Sequence, residues 1–192
     1  MEIMKKLMFI KCLLLTLSLG FINSSYAQSR GGNGPVTPIK VGTVTLNLGI
    51  GVGHQYKGDY YNSPFGTKIA MEVGLWQAGP GVITLGGEVG AAFSNKGSGR
   101  EDFKARTVIV AGRSAWHYGW LVRGLDTYAG LSAGLGFHHH NYKNYNGDQD
   151  EVIPVVGAFV GASYFVSPRF GFNAEAGNDI TRLQAGIIFK LK

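Results

Sequence analysis

Thr43-Val44-Thr45-Leu46-Asn47-Leu48-Gly49-Ile50-Gly51-Val52-Gly53 alternates without exception. Every even position is a branched apolar residue. Every odd position is Thr, Asn or Gly. A helix would scatter those apolar side chains around its circumference, whereas a strand lines them on one face. The segment therefore predicts a two-faced β-strand, and the same period returns along the chain.

Further strands are expected at about Lys68–Trp76, Val82–Phe93, Lys104–Trp116, Asp126–Phe137, Val152–Phe165, Phe170–Gly177 and Thr181–Lys192. Ile69, Met71, Val73 and Leu75 oppose Lys68, Ala70, Glu72 and Gly74. Ile83, Leu85, Val89, Ala91 and Phe93 oppose Thr84, Gly86, Glu88, Gly90 and Ala92. The fourth strand is less clean, because Ile109 falls on the polar side with Thr107, Ala111 and Arg113. The sixth is apolar on both faces, and periodicity gives it no register. The connections alternate. Tyr56–Thr67, Ser94–Asp102 and His138–Glu151 read as long polar loops, whereas Gln77–Gly81 and Val166–Arg169 read as short turns. Alternating long loops and tight turns are the pattern of a membrane barrel. The expected fold is all-β, an eight-stranded antiparallel up-and-down transmembrane β-barrel.

Composition agrees with that class. Thirty glycines and only 16% charged residues argue against a helical bundle or a charged disordered tail. Residues 1–27 read as a cleaved secretory signal: a basic start with Lys5, Lys6 and Lys11, the apolar run Cys12–Ile22, then Ser25-Tyr26-Ala27. Removing those lysines and Glu2 lowers the net charge from +6 to +4. It also removes Cys12, the single cysteine, which excludes a disulfide framework, a thiolate zinc site and a cysteine nucleophile. Residues 28–38, rich in Gly and Pro, read as a flexible extension, and residues 39–192 as the barrel.

An alternating barrel can turn its apolar face inward, as a soluble lipocalin-like binder does, or outward to lipid. The opposite face here carries glycine and a few charges of both signs, Glu72, Glu88, Arg113, Glu175 and Lys190. That suits the cramped interior of a small barrel. Aromatics gather at the strand ends on the apolar face. Trp116, Phe170 and Phe189 are expected at the periplasmic rim, Phe93 and Phe137 at the outer rim. The outward orientation is preferred.

Ala111-Gly-Arg113-Ser-Ala-Trp116-His117, Asp126-Thr-Tyr128-Ala-Gly130, Phe159-Val-Gly161-Ala-Ser-Tyr164-Phe165, Glu175-Ala-Gly177 and Ala185-Gly-Ile-Ile-Phe189 carry a resemblance over about residues 40–192. They resemble the small outer-membrane β-barrel family of Gram-negative bacteria, the porin-like group allied to outer-membrane protein A. The resemblance implies an eight-stranded barrel inserted by the outer-membrane assembly machinery. The chain is expected to end with its last strand, without the peptidoglycan-binding domain that some relatives carry. It also ends on Lys192 rather than an aromatic residue, with Phe189 three residues earlier.

Few residues point to chemistry. His138-His139-His140, with His54, are candidate metal ligands, but adjacent strand residues face opposite ways and no tight spacing motif is present. A polar surface loop is the simpler reading, and no metal or cofactor is expected. The lumen charges are expected to form an internal salt-bridge network; the alternative is a narrow channel for small solutes whose selectivity they tune. A lipid-modifying enzyme needs a Ser–His–acid arrangement, and neither His117 nor Ser132 has suitable neighbours in sequence, so no catalysis is expected. No basic–aromatic run suggests nucleic acid. Expected partners are outer-membrane lipid, lipopolysaccharide near Lys57, Lys96 and Arg100, and a surface ligand at the Tyr- and Asn-rich segments Tyr60–Asn62 and Asn141–Tyr145.

Overall fold

The computed structural model describes residues 37–53, 62–96, 103–141 and 149–192. The predicted signal, most of the extension, His54, Lys57 and Arg100 lie outside them. Eight strands follow one another: β1 (Val44–Val52), β2 (Asn62–Ala78), β3 (Gly81–Lys96), β4 (Phe103–Gly119), β5 (Leu125–Asn141), β6 (Gln149–Phe165), β7 (Phe170–Gly177) and β8 (Leu183–Lys190). Each pairs antiparallel with the next, and β8 pairs back onto β1, closing the barrel. Leu191 N–H donates to the Val44 carbonyl and Val44 N–H to that of Lys192, so the seam runs to the last residue. Closure gives every strand a neighbour on each side, although residues 149–157 of β6 run past the end of β7 and pair with β5 alone.

Five strands are longer than their hydrophobic period. β2 begins at Asn62, and β5 runs on through His138-His139-His140 to Asn141, paired with Glu151, Asp150 and Gln149 of β6. The expected loops at Tyr56–Thr67, Ser94–Asp102 and His138–Glu151 are shortened accordingly. The physical reason is that the hydrogen-bond ladder needs only backbone partners in register. Apolar alternation marks the part of a strand whose two faces differ, and polar residues continue the ladder beyond it.

The interior parity is continuous around the wall. Thr45, Asn47, Lys68, Glu72, Glu88, Thr107, Arg113, Ser132, Asn173, Glu175 and Gln184 are buried, while Ile50, Ile69, Leu85, Val110, Leu131 and Val160 are exposed. β6, ambiguous in sequence, turns Val155, Phe159 and Phe165 inward and Val152, Val156 and Val160 outward. Ile109 of β4 is inward and fully buried, against Ile180.

Two apolar clusters fill the inside of the wall toward its opposite ends. The β7–β8 connection folds into one mouth, where Ile180 packs on Ile109, Ala111 and Val155. At the opposite mouth Ile39 packs on Phe165 and Ile188. Ile39 thus packs inside the barrel from the segment before β1, which starts at Val44.

Large interior rings are seated over glycine. A Cβ at Gly161 would meet the Tyr128 ring, and one at Gly130 the Phe159 ring. Gly161→Val is expected to displace Tyr128 and to destabilise the barrel by about 1–3 kcal/mol, read as a lower urea midpoint of the folded protein in micelles.

Candidate functional site: an ion network inside the barrel

Parity delivers the charges to one layer. Lys68 and Glu72 come from β2, Glu88 from β3, Arg113 from β4 and Glu175 from β7. Their strands alternate faces, so each carries its charge inward while its two neighbours in sequence face outward. Arg113 is the hub. Its Nη1 donates to Glu88 Oε2 at 2.9 Å and its Nη2 to Glu175 Oε2 at 3.0 Å. Its Nε lies 2.5 Å from Glu72 Oε1, a charge contact without hydrogen-bond alignment. Lys68 Nζ pairs with Glu175, with Asp179 Oδ2 at 2.6 Å and with Glu88 Oε2 at 3.7 Å. Thr84 donates its hydroxyl to Glu72 and Tyr128 donates to Glu175 Oε2 at 3.1 Å.

Both cations lie by the Phe159 ring, Arg113 Cζ at 4.0 Å and Lys68 Nζ at 5.7 Å from its centroid. The ring's negative face favours them there. Phe159 thus serves as a seat for both cations on the inward face of β6, between Val155 and Phe165.

The sequence-predicted set divides. Glu72, Glu88, Arg113 and Glu175 are brought together. Lys190 is not: its Nζ stands 3.9 Å from the Phe165 ring centroid at the end holding the chain terminus. Three members escape a search for lumen charges in sequence. Lys68 shares the face of Glu72 and was legible by parity. Asp179 lies in a turn, where parity has no meaning. Asp126, fully buried, is bound to His117, Nδ1 to Oδ2 at 2.7 Å. His117 Nε2 is 3.5 Å from Glu72 Oε2, which links this pair to the main cluster.

The His117–Asp126 pairing has the look of a hydrolase dyad. However, His117 is only 4% exposed, Asp126 is not exposed at all, and the second imidazole nitrogen faces a carboxylate rather than a hydroxyl. A general base must reach the proton that it takes from a substrate or nucleophile. Of the histidine triplet, His138 Nδ1 is 2.5 Å from Thr107 Oγ1. Among the described residues no three His, Cys, Asp or Glu side chains form a metal-holding group.

The aromatic residues divide between the two rims. Phe93 and Phe137 face outward near the mouth at the β7–β8 connection, with Phe65 directly opposite Phe93 on β2. Trp116 lies at the other end, stacked on Tyr118, with its Nε1 donating to the Ala78 carbonyl at 3.0 Å. Phe170 and Phe189 share that end, 5.3 Å apart.

These observations define a class: a closed eight-stranded antiparallel barrel with a charged, packed interior and an apolar exterior. No family model matches the chain, and no curated protein matches it. Solved structures similar to it include Ail, the attachment invasion locus protein of Yersinia pestis, at 14% identity over 79% of this chain and 96% of that one, TM-score 0.42. Ail in complex with the heparin analogue sucrose octasulfate gives 14% identity over the same shares, TM-score 0.43. The N-terminal β-barrel domain of Pseudomonas aeruginosa OprF gives 13% identity over 79% and 98%, TM-score 0.42.

Proposed function

We propose that the chain is an integral outer-membrane β-barrel protein of a Gram-negative envelope, with a structural or surface-interacting role and neither conduction nor catalysis of its own. The observation that carries this reading is the inversion of burial. Full charges occupy the interior, whereas Val156 is 72% exposed and Leu131 66% exposed on the outer wall. A soluble domain rarely exposes so continuous an apolar band. About 10 strand steps separate Ile83 from Phe93, and at about 3.3 Å each with a tilt near 40° they span about 25 Å, the height of an outer-membrane apolar band. The predicted export signal fits that compartment. Lipid, lipopolysaccharide and the assembly machinery are the partners this reading requires.

The apolar clusters at Ile39 and Ile180, with the Arg113 cluster between them, argue against the narrow-channel alternative. Enclosure of His117 and Asp126 argues against a lipid-modifying enzyme. On this proposal the protein is recovered in the membrane fraction, needs detergent for extraction and shifts in gel mobility only after boiling. In planar bilayers it gives no conductance steps. Recovery as a water-soluble protein without a heat-dependent shift overturns the membrane assignment; regular conductance steps overturn the closed lumen.

A further inference from the structure

We propose that the periplasmic end of the barrel binds the phosphodiester headgroup of an anionic phospholipid, in the cavity between the β4–β5 and β6–β7 turns. This rests on the membrane reading above. The cavity holds about 670 Å³, and Arg123, Tyr164, Phe165, Ser167, Pro168 and Lys190 are among the residues that line it.

The site is built by backbone ties between three segments. Gly124, at φ 87°, brings the β4–β5 turn onto the end of β6, where a Cβ would strike the Phe165 carbonyl. Phe165 N–H donates to the Gly124 carbonyl at 2.9 Å, and Lys190 N–H to the Arg169 carbonyl at 2.8 Å. Arg123 and Lys190 are thereby held on walls of one cavity. Ser167 Oγ accepts from the N–H groups of Arg169 and Phe170, which leaves its own hydroxyl proton to donate. Lys190 stands on the Phe165 ring, fixed and shielded from water on one side. A guanidinium, an ammonium and a hydroxyl suit the anionic oxygens of a phosphodiester.

Charge sets the sign of the ligand. Among the described residues this end carries Lys40, Arg123, Arg169, Lys190 and Lys192, and its one acidic side chain, Asp126, is enclosed, held by His117 and close enough to Lys190 to attract it. Hydrophobicity sets the source. Trp120, Leu121, Val122 and Val166, all in the turns beside the cavity, are exposed, Leu121 at 75%. Such turns are poorly suited to water but fit the boundary between headgroups and acyl chains, where Trp is enriched. A free phosphate or a nucleic acid gives no reason for them.

The chain's three tryptophans, Trp76, Trp116 and Trp120, all lie at this end, so their fluorescence reports on it alone. The folded protein is placed in phosphatidylcholine vesicles containing a minor fraction of either brominated phosphatidylglycerol or brominated phosphatidylcholine. Quenching by the brominated phosphatidylglycerol is expected to correspond to enrichment on the order of tenfold over the bulk lipid. Arg123→Gln with Lys190→Gln is expected to remove that excess while the heat-dependent gel shift persists. Arg169→Gln with Lys192→Gln, outside the cavity, is expected to keep most of it. Equal quenching by the two lipids in the unaltered protein overturns the proposal. So does an equal loss in both double variants, which marks general attraction to a basic rim. Displacement of the lipid by soluble glycerol phosphate overturns the assignment to a membrane lipid in favour of a free phosphate. Absence of quenching by either lipid marks a protein that never inserted, and so sinks the membrane reading itself.

Discussion

Replacing Arg113 with methionine is expected to lower the stability of the folded barrel by about 3–5 kcal/mol, as removal of one partner from a buried ion cluster does. The guanidinium meets Glu72, Glu88 and Glu175, and without it Lys68 is left to face Glu88, Glu175 and Asp179. Methionine keeps an unbranched stem that can lie on the Phe159 ring, so most of the loss reports charge rather than volume. The measurement is the urea midpoint of the folded protein in micelles, followed by tryptophan emission and by the heat-dependent gel shift. Adding Glu88→Gln to the variant removes one of the stranded carboxylates, and about 0.5–3 kcal/mol of the loss is expected to return through that coupling. If Arg113→Met alone costs under about 1 kcal/mol, the network is not what a buried cluster of this kind should be. The interior would then have to be wet enough to solvate three carboxylates.

What could be read in the sequence follows from where the two faces of a strand differ. In β1, β3 and β5 one face meets the apolar exterior and the other a crowded interior of glycine and polar groups, so a period of two was legible to the residue. Lys68 shared that legibility through its parity with Glu72. The signal failed for identifiable reasons. Phe159 is apolar yet inward, with two cations beside its ring, and together with the inward Val155 and Phe165 it erased the alternation of β6. Ile39 and Ile180 fill the barrel from segments outside the strands, where alternation carries no information. Asp179 joins Lys68 from such a segment. His138 to His140 read as loop because their polarity ends the hydrophobic pattern, although the ladder with β6 continues. Lys190 has interior parity but lies one layer too far along the barrel to reach the Arg113 cluster. Parity assigns a face, and only the three-dimensional stagger of the strands assigns a depth.

Val156→Lys is the substitution for which water and lipid predict opposite results. Val156 lies in the middle of β6, opposite Ala133 of β5, and projects outward with 72% of its surface uncovered. On a soluble barrel an exposed valine replaced by lysine costs little, within about 0.5 kcal/mol for most surface sites. At the midplane of a bilayer the same change puts an ammonium among acyl chains, at a cost of about 2–4 kcal/mol on an outer-membrane barrel. The loss is expected in full for protein folded into vesicles. Two companions separate the causes. Val156→Thr keeps a branched strand residue and is expected to lose much less than the lysine variant, since it adds polarity without charge. Val122→Lys places the same charge in the exposed β4–β5 turn, where the interface tolerates it at about 0–1 kcal/mol. Lysine can extend its stem toward the headgroups, which lowers the cost but cannot abolish it at this depth. A full loss for Val156→Lys beside a small one for Val122→Lys would make the cost depend on depth, a pattern that only a lipid-facing wall produces. Equal, small effects at both positions would mean that the apolar wall faces something other than lipid, and the outward assignment of the apolar face would have to be given up.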